Sequence, residues 1–327
     1  MLSERRIERC SGKKALITGV LGQDGSYMAE VLNRHRYEVV GLIRVNTHNK
    51  EKRVKWIKNL VPHIKIMEID ITQKQSVLDI INHESPDEIY NFAGYSDVFN
   101  PWDNLDSIYK VNCKIPQNFL EAIAKSEKVI KFFQASSSLI YGRTQSEIQN
   151  EETPFAPLHP YGITKLYAHN MVVEFRKKYG IFGCSAIFFN HDSARRGDNF
   201  FTKKIIGGIK KILNNEMDKL TVGDLSNYRD IGDAREYMQA SFLMMQNEDP
   251  IDYVIGTGAL VEMEEFVKKS FTAASLNWED YIIRDKSLFR PSETQILKAD
   301  IKKIKEDLGW YPTQTIDDII EHMLVGE

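Results

Sequence analysis

Six short runs of apolar, largely branched residues alternate with longer segments of helical period in the first half of the chain. The runs are residues 14–18, 38–43, 64–69, 88–92, 130–134 and 183–189. Several of them carry consecutive apolar residues instead of a strict alternation, which is typical of strands buried on both faces of a sheet. The order strand, helix, strand therefore predicts an α/β fold with a doubly wound parallel sheet.

Helical periodicity predicts helices between these runs, at residues 25–34, 73–83, 107–126 and 161–179. Beyond residue 189 the alternation stops, and a helix at 201–215 is followed by shorter mixed segments. We therefore expect an amino-terminal extension (1–12), a larger domain (13–189) and a smaller mixed α/β carboxy-terminal lobe (190–327). The lobe is interleaved with the larger domain and is not expected to fold independently.

The charge balance and the cysteine content exclude several classes of function. Lys and Arg number 43 against 46 Asp and Glu, a net charge of -3, so the composition does not predict binding to nucleic acid or to a membrane surface. The cysteines Cys10, Cys113 and Cys184 lack metal-ligand spacing and are odd in number, which is typical of a reducing compartment. With charges near the amino terminus and no apolar stretch of spanning length, the sequence predicts a cytoplasmic protein without a metal site.

A glycine-rich turn follows the first predicted strand. Gly19, Gly22 and Gly25 are spaced three residues apart, with Gln23 and Asp24 between the last two, and a helical pattern follows. Such a turn lets a pyrophosphate approach the backbone N–H groups at the positive end of a helix. The position of the turn at a strand–helix junction therefore predicts a dinucleotide site. A plain turn with glycines that permit helix packing is the alternative.

The end of the second predicted strand bears on which dinucleotide binds. A carboxylate there would favour NAD, but the strand ends in Arg44, which can pair with a ribose 2′-phosphate. The sequence therefore favours NADP. NAD remains possible if Arg44 faces solvent and Asn46 or His48 accommodates a ribose hydroxyl. Asp70 and Ile71, at the end of the third predicted strand, are expected beside the adenine.

Tyr161 and Lys165 lie four residues apart at the start of a predicted helix, and therefore on one helical face. An ammonium group near a phenol favours the phenolate, which can take a proton from a hydroxyl group while hydride leaves the adjacent carbon. Ser137 follows the fifth predicted strand, at the edge of the sheet where a third catalytic group belongs. The combination predicts a catalytic site of Ser137, Tyr161 and Lys165.

The sequence resembles the extended short-chain dehydrogenases/reductases, and most closely the GDP-mannose 4,6-dehydratase family. The resemblance rests on ALITGVLGQDGSYMA (15–29), DEIYNFA (87–93), FQASSSLIYG (133–142), PYGITKLYA (160–168), FNHDSARRGDNFFTKKI (189–205), RDIGDAREY (229–237), RPSE (290–293) and LGWYP (308–312). It implies a Rossmann-type NADP-binding domain at 13–189, with Ala93 and Asn190 also at the cofactor. It further implies a lobe at 190–327 for a nucleotide diphosphate sugar, and a homodimer or homotetramer.

The resemblance also implies a set of polar residues that hold the diphosphate sugar, with GDP as the expected nucleotide. They are Ser96, Asn190, Arg195, Asn199, Lys203, Arg229, Arg290 and Glu293. Guanidinium groups suit phosphate oxygens, and a pyrophosphate needs local cations in a protein of net negative charge. For each arginine a surface salt bridge is the alternative.

At Leu139 the sequence departs from the family pattern. The family's dehydratases have a glutamate there, which abstracts the C5 proton and assists loss of the C6 hydroxyl. A leucine cannot transfer a proton, although Asp97 could in principle substitute. We therefore expect C4 oxidation, C4 reduction or C4 epimerisation of a GDP-hexose or GDP-heptose. A 4,6-dehydratase with a relocated base and an inert nucleotide-sugar-binding paralogue are the alternatives.

Overall fold

The structure is a computed structural model that describes residues 12–45, 47–95, 101–288 and 296–326. Its strands are β1 (Lys14–Thr18), β2 (Glu38–Ile43), β3 (Lys65–Glu68), β4 (Glu88–Asn91), β5 (Lys131–Ala135), β6 (Gly183–Phe188), β7 (Asn190–Asp192), β8 (Leu220–Val222), β9 (Tyr228–Asp233), β10 (Tyr253–Ile255), β11 (Leu260–Glu262) and β12 (Ile282–Arg284). Seven of them form one parallel sheet in the order β10-β6-β5-β4-β1-β2-β3. The predicted doubly wound sheet is confirmed.

The helices cover both faces of this sheet and build the smaller lobe. They are α1 (Gln23–Arg34), α2 (Lys50–Leu60), α3 (Lys74–Glu84), α4 (Leu105–Tyr109), α5 (Ile115–Ile123), α6 (Pro160–Tyr179), α7 (Phe201–Leu213), α8 (Ala234–Met245), α9 (Met263–Ala273), α10 (Lys302–Leu308) and α11 (Ile316–Val325).

Strand β1 shows why consecutive apolar residues predicted a doubly covered sheet. Ala15 and Ile17 are buried in one apolar cluster, whereas Leu16, between them, is buried in a second cluster together with Val40 of β2. Successive side chains of a strand point to opposite faces, so each face of the sheet has its own core.

Two helical segments differ from the expectation. Helix α2 was not predicted, because it buries Ile57 while most of its other side chains are charged. The single helix predicted at 107–126 is instead interrupted by a turn of π-helix at Lys110–Lys114, between α4 and α5. Such a turn has no apolar period of its own and changes which side chains face the core.

The carboxy-terminal residues form a mixed lobe and also complete the large sheet. A three-stranded sheet (β11-β9-β7), a two-stranded sheet (β12-β8) and helices α7, α9 and α11 share one apolar core. Strand β10 pairs with β6, and α8 packs against α1, so these two elements belong to the layers of the large sheet. The domain boundary at residue 190 stays a prediction. Within the described ranges, no helix combines the length and apolarity needed to cross a bilayer.

Candidate active site

The glycine-rich turn is closed tightly against the start of α1. Gly19 has a φ of 68°, a left-handed conformation, and the N–H of Gly22 donates to its carbonyl oxygen over 2.8 Å. A Cβ atom on Gly25 would collide with that same oxygen. Because Gly22 at the start of the helix has no side chain to cap it, the first N–H groups of α1 are presented to a ligand. This geometry fits a pyrophosphate.

A chain of buried hydrogen bonds ties together the carboxyl ends of the three central strands. The Thr18 hydroxyl donates to Asn91 Oδ1 over 2.6 Å, and the Asn91 amide donates to Gln134 Oε1 over 2.8 Å. The Thr18 oxygen also accepts from the backbone N–H of Ala93 over 2.9 Å. These bonds hold the predicted cofactor residue Ala93 in place above β1 and β4.

Lys165 and Ser137, two of the three residues predicted to be catalytic, lie at the carboxyl end of β5. The buried Lys165 Nζ donates to the carbonyl oxygen of Ala135 over 2.9 Å, and it lies 5.8 Å from the centre of the Tyr161 ring. Ser137 follows two residues after Ala135, and its Oγ accepts from the N–H of Leu139 over 3.2 Å. Because that Oγ acts as an acceptor there, its hydrogen can be donated to a substrate oxygen.

Asn112, in the π-helical turn, is a site residue that the sequence analysis missed. Its Oδ1 accepts from the N–H of Tyr95 over 2.8 Å, and its Nδ2 donates to Thr164 Oγ1 over 3.1 Å. A Cβ atom on Gly94 would lie 3.5 Å from Lys165 Nζ. Asn112 therefore fixes the backbone that leaves β4 beside Lys165. The turn KVNCK carries no periodic signal that could have indicated this role.

Position 139 adjoins the start of α6 and is apolar. A Cβ atom on Gly162 would lie 2.6 Å from the carbonyl oxygen of Leu139, so this backbone touches the helical turn that carries Tyr161. The half-buried Leu139 side chain packs against an apolar cluster that includes Ile140 and Phe189. The other acid/base candidate, Asp97, and the predicted substrate residue Ser96 lie outside the described residues.

Two arginines lie near the expected ribose position. Arg44 is exposed just beyond β2, and its predicted contact with a ribose 2′-phosphate stays a prediction. Arg53, on α2, was missed: its Nη2 donates to the carbonyl oxygen of Leu21 in the glycine-rich turn over 2.8 Å. Burial and the nearby charge of Arg44 lower the pKa of Arg53, so the two guanidinium groups lie close enough to repel each other. A phosphate between them would relieve that repulsion.

Asp70 and Ile71 follow β3 in a tight turn. Asp70 is exposed and accepts from Thr72 Oγ1 over 2.6 Å, which lowers the pKa of the Asp70 carboxyl. Ile71 is buried, and its carbonyl oxygen accepts from the amide of Asn118 over 3.2 Å. Their predicted contact with adenine stays a prediction.

Several predicted substrate residues lie in the smaller lobe. Asn190 is exposed at the start of β7 and pairs with Ile231 of β9, two residues beyond Arg229. Arg229 is half-buried, and burial lowers the pKa of its guanidinium. Lys203 donates to a backbone carbonyl of the preceding loop, and Asn199 is exposed in that loop. Arg290 and Glu293 lie outside the described residues.

The side chain of Arg195, another predicted substrate residue, contacts α1. Its guanidinium lies 2.5 Å from Glu30 Oε1, donates to Ser26 Oγ over 3.1 Å and stacks on the Tyr27 ring, with 3.8 Å to the ring centre. It also lines a cavity of about 360 Å³ whose walls include Arg34 and Arg235. Its charge is thus paired with Glu30 within the chain, and its role in binding the substrate stays a prediction.

Comparison with known proteins identifies relatives that match almost the whole chain. A family model described as GDP-mannose 4,6 dehydratase matches residues 16–323. The GDP-mannose 4,6 dehydratase of Cricetulus griseus is 37% identical over 339 residues, with 96% of this chain and 91% of the relative covered. GDP-mannose 4,6 dehydratase 2 of Arabidopsis thaliana is 39% identical over 322 residues, with 95% and 86% covered.

Solved structures of more distant proteins share the fold. The dTDP-glucose 4,6-dehydratase of Bacillus anthracis in complex with NAD superposes with a TM-score of 0.83 at 20% identity, covering 96% of each chain. The RMD protein of Pseudomonas aeruginosa complexed with NADPH gives a TM-score of 0.79 at 20% identity, covering 96% of this chain and 98% of that one.

Proposed function

This chain belongs to the GDP-mannose 4,6-dehydratase family of short-chain dehydrogenase/reductase enzymes, and from that premise we propose that it transfers hydride at C4 of a GDP-sugar with NADP as cofactor. The single observation that carries the proposal is the placement of Lys165 and Ser137 at the carboxyl end of β5, with Tyr161 one helical turn before Lys165. The sugar is a GDP-hexose or a GDP-heptose.

Each residue of this trio has a defined task. Ser137 donates a hydrogen bond to the C4 oxygen and orients it. Tyr161, as phenolate, takes the proton of the C4 hydroxyl while hydride leaves C4, so that the alcohol becomes a ketone; in the reverse direction Tyr161 returns the proton. Lys165 stabilises the phenolate by its charge, and its bond to the Ala135 carbonyl holds it in place. When bound, NADP supplies the hydride acceptor or donor.

The glycine-rich turn and the two arginines support NADP as the cofactor. A Cβ atom at Gly25 would collide with the backbone of Gly19, so the tight turn needs a glycine there. Helix α1 begins in this turn and presents its N-terminus to a bound pyrophosphate. Arg44 and Arg53 would face the ribose 2′-phosphate, for which guanidinium groups are well suited. One fold relative was solved with NADPH and another with NAD, so NAD stays possible.

Arg229, Lys203 and Asn190 support binding of a nucleotide diphosphate sugar in the smaller lobe. Arg229 lies two residues from Ile231, which pairs with the predicted substrate residue Asn190, and guanidinium groups suit the oxygens of a pyrophosphate. The two relatives are named as GDP-mannose 4,6 dehydratases, and this supports GDP as the nucleotide.

Leu139 supports a reaction limited to C4. Its half-buried apolar side chain stands beside the start of α6 and cannot move a proton between C5 and C6. Oxidation, reduction and epimerisation at C4 need only the Ser137–Tyr161–Lys165 trio and the bound cofactor. Full 4,6-dehydration would need a base from elsewhere, and the 37–39% identity to dehydratases keeps it as the second candidate.

Incubation of the purified protein with GDP-mannose and NADP, followed by mass spectrometry, tests the proposal. We expect either loss of two hydrogens with formation of NADPH, or an isobaric C4 epimer that chromatography separates from the substrate, and no loss of water. Loss of one water would establish the dehydratase alternative instead. Tyr161→Phe removes the group that moves the proton and should lower turnover by at least 100-fold, within the range for general acid–base catalysis. Tyr179→Phe, at the far end of α6, is the matched control and should retain activity.

A further inference from the structure

Asp230 is a buried carboxylate that directly follows Arg229 in β9. Its side chain is 1% exposed, and burial raises the pKa of its carboxyl group. Successive side chains of a strand point to opposite faces, so Asp230 faces away from the Arg229 guanidinium that we propose to hold the diphosphate. A carboxylate buried on that other face needs hydrogen-bond donors of its own.

Donors from two other segments of the chain surround this carboxylate. Asp230 Oδ1 accepts from the N–H of Thr257 over 2.8 Å and from Thr257 Oγ1 over 2.6 Å. Asp230 Oδ2 accepts from the N–H of Gly258 over 2.9 Å and from the N–H of Ala299 over 3.1 Å. Because N–H groups only donate, both oxygens of Asp230 act as acceptors, which suits an ionised carboxylate.

The first of these segments, 256–259, belongs to the large sheet. It follows β10, which pairs in parallel with β6, as β6 does with β5, so it lies at the edge of the sheet where β5 ends. The packing is close there, because an added Cβ on Gly256 would lie 2.3 Å from the Ala299 Cβ and 3.3 Å from Asp230 Oδ2. Asp230 thus joins a strand of the smaller lobe to the edge of the sheet that carries the proposed catalytic trio.

The second segment, 298–300, is also bonded to Gln149. The Gln149 N–H donates to the Lys298 carbonyl oxygen, and the Asp300 N–H donates to the Gln149 carbonyl oxygen, each over 2.8 Å. The Gln149 side chain is 0% exposed, and its Oε1 accepts from the Lys298 N–H over 2.8 Å. Gln149 lies on the loop between β5 and α6, which connects two members of the trio. The segment 298–300 therefore bridges Asp230 and the loop of the candidate active site.

We propose that Asp230 is a positioning residue for the nucleotide sugar: through Ala299 and the turn after β10, it fixes the distance between Arg229 and the catalytic trio. The inference deepens the proposed function and rests on it, because the diphosphate has to be held by Arg229 while C4 reaches Ser137 and Tyr161. A ligand that spans both parts depends on their spacing, whereas a ligand that contacts one part does not. A small misplacement of the reacting atoms lowers the rate of the chemical step much more than it weakens binding.

Asp230→Asn tests this role, because it keeps the size of the side chain and removes one acceptor. In either orientation, the new Nδ2 faces at least one backbone N–H that needs an acceptor. We expect kcat for GDP-mannose to fall at least tenfold, with KM unchanged within about threefold. The Kd values for GDP, which lacks the sugar, and for NADP, both measured by calorimetry, should also stay within about threefold. Asp249→Asn, at an exposed aspartate after α8, is the matched control and should keep the wild-type kcat.

A milder variant decides the matter if Asp230→Asn does not fold. Thr257→Val removes the hydroxyl donor to Asp230 and leaves the backbone N–H donors in place. We expect a smaller loss of kcat, about threefold, with the Kd values for GDP and NADP again unchanged. Thr272→Val, at an exposed threonine on α9, is the control for this variant.

The opposite results would overturn the inference. Wild-type kcat in the Asp230 and Thr257 variants, with an active wild type, would overturn the inference alone. Losses of GDP and NADP affinity as large as the loss of kcat would mean that Asp230 only supports the fold. A wild type that does not turn over GDP-mannose would overturn the proposed function together with the inference that rests on it.

Discussion

Leu139 is the position at which we expect this chain to depart from the family pattern. Its side chain is half-buried against Ile140 and Phe189, and its backbone touches the turn of α6 that carries Tyr161. The catalytic trio needs no partner at position 139 for hydride transfer at C4, whereas elimination of water from C5 and C6 needs an acid and a base. Whether the side chain at position 139 can transfer a proton therefore distinguishes hydride transfer at C4 from 4,6-dehydration.

Restoring a carboxylate at this position should restore dehydration. For Leu139→Glu we expect the water-loss product of GDP-mannose to rise at least tenfold over the wild type, because the new carboxylate can move the proton that leucine cannot. Mass spectrometry of the product measures it. Leu139→Gln, which has the same shape without the acid, is the control. Equal amounts of water-loss product from both variants would show that position 139 does not determine the outcome.

Helix α2 shows how an element without a clear sequence signal can carry part of a binding site. Its weak apolar pattern buries Ile57, and it is anchored to the glycine-rich turn by the hydrogen bond from Arg53 to Leu21. This anchor brings a second guanidinium near Arg44. The preference for NADP that we propose would therefore be a property of the β2–α2 unit and not of Arg44 alone.

Removing the Arg53 guanidinium should weaken the binding of NADP more than the binding of NAD. A hydrogen bond to a charged group contributes about 1.5–3 kcal/mol, so for Arg53→Gln we expect the Kd for NADP to rise roughly tenfold or more. The Kd for NAD should change less than about twofold, and fluorescence titration of both cofactors measures the difference. Lys55→Gln, an exposed position on the same helix, is the control. If both cofactors weaken equally, Arg53 acts through Leu21 and not through a phosphate.

At the scale of the whole molecule, Glu84 links helix α3 to the amino ends of strands β1 and β3. These strand ends lie on the side of the sheet opposite the candidate active site. The side chain of Glu84 is 1% exposed at the end of α3, and it pairs with Lys14 at the start of β1 over 3.3 Å and with Lys65 at the start of β3 over 2.6 Å. Burial opposes ionisation, but the bonds from Lys65, His83 and Lys14 outweigh it and lower the pKa of Glu84 to about 2.

This carboxylate should make the fold sensitive to acid. A carboxyl group whose pKa is lowered on folding stabilises the protein at pH values above the unfolded-state pKa of 4.5. That stabilisation is lost as the pH falls towards 2. For Glu84→Gln we expect the free energy of unfolding at pH 7 to fall by about 2 kcal/mol, as measured in urea. The deficit should shrink as the pH is lowered below 4.5. A loss of stability that stays constant at every pH would contradict this prediction. Glu51→Gln, at an exposed glutamate on α2, is the control and should not lower the free energy of unfolding.

The sequence by itself determined the features that neighbouring residues encode: the strand pattern of β1 to β6, the glycine spacing from Gly19 to Gly25, and the placement of Tyr161 and Lys165 on one helical face. Periodicity and short spacing are local, so they can be read along the chain. Tertiary structure alone decided that β10 closes the large sheet, that Arg53 reaches Leu21 and that His191 meets Asp24 across 167 residues of sequence. Such contacts depend on how complete helices and strands pack against each other. No local sequence pattern indicates which distant side chains will meet.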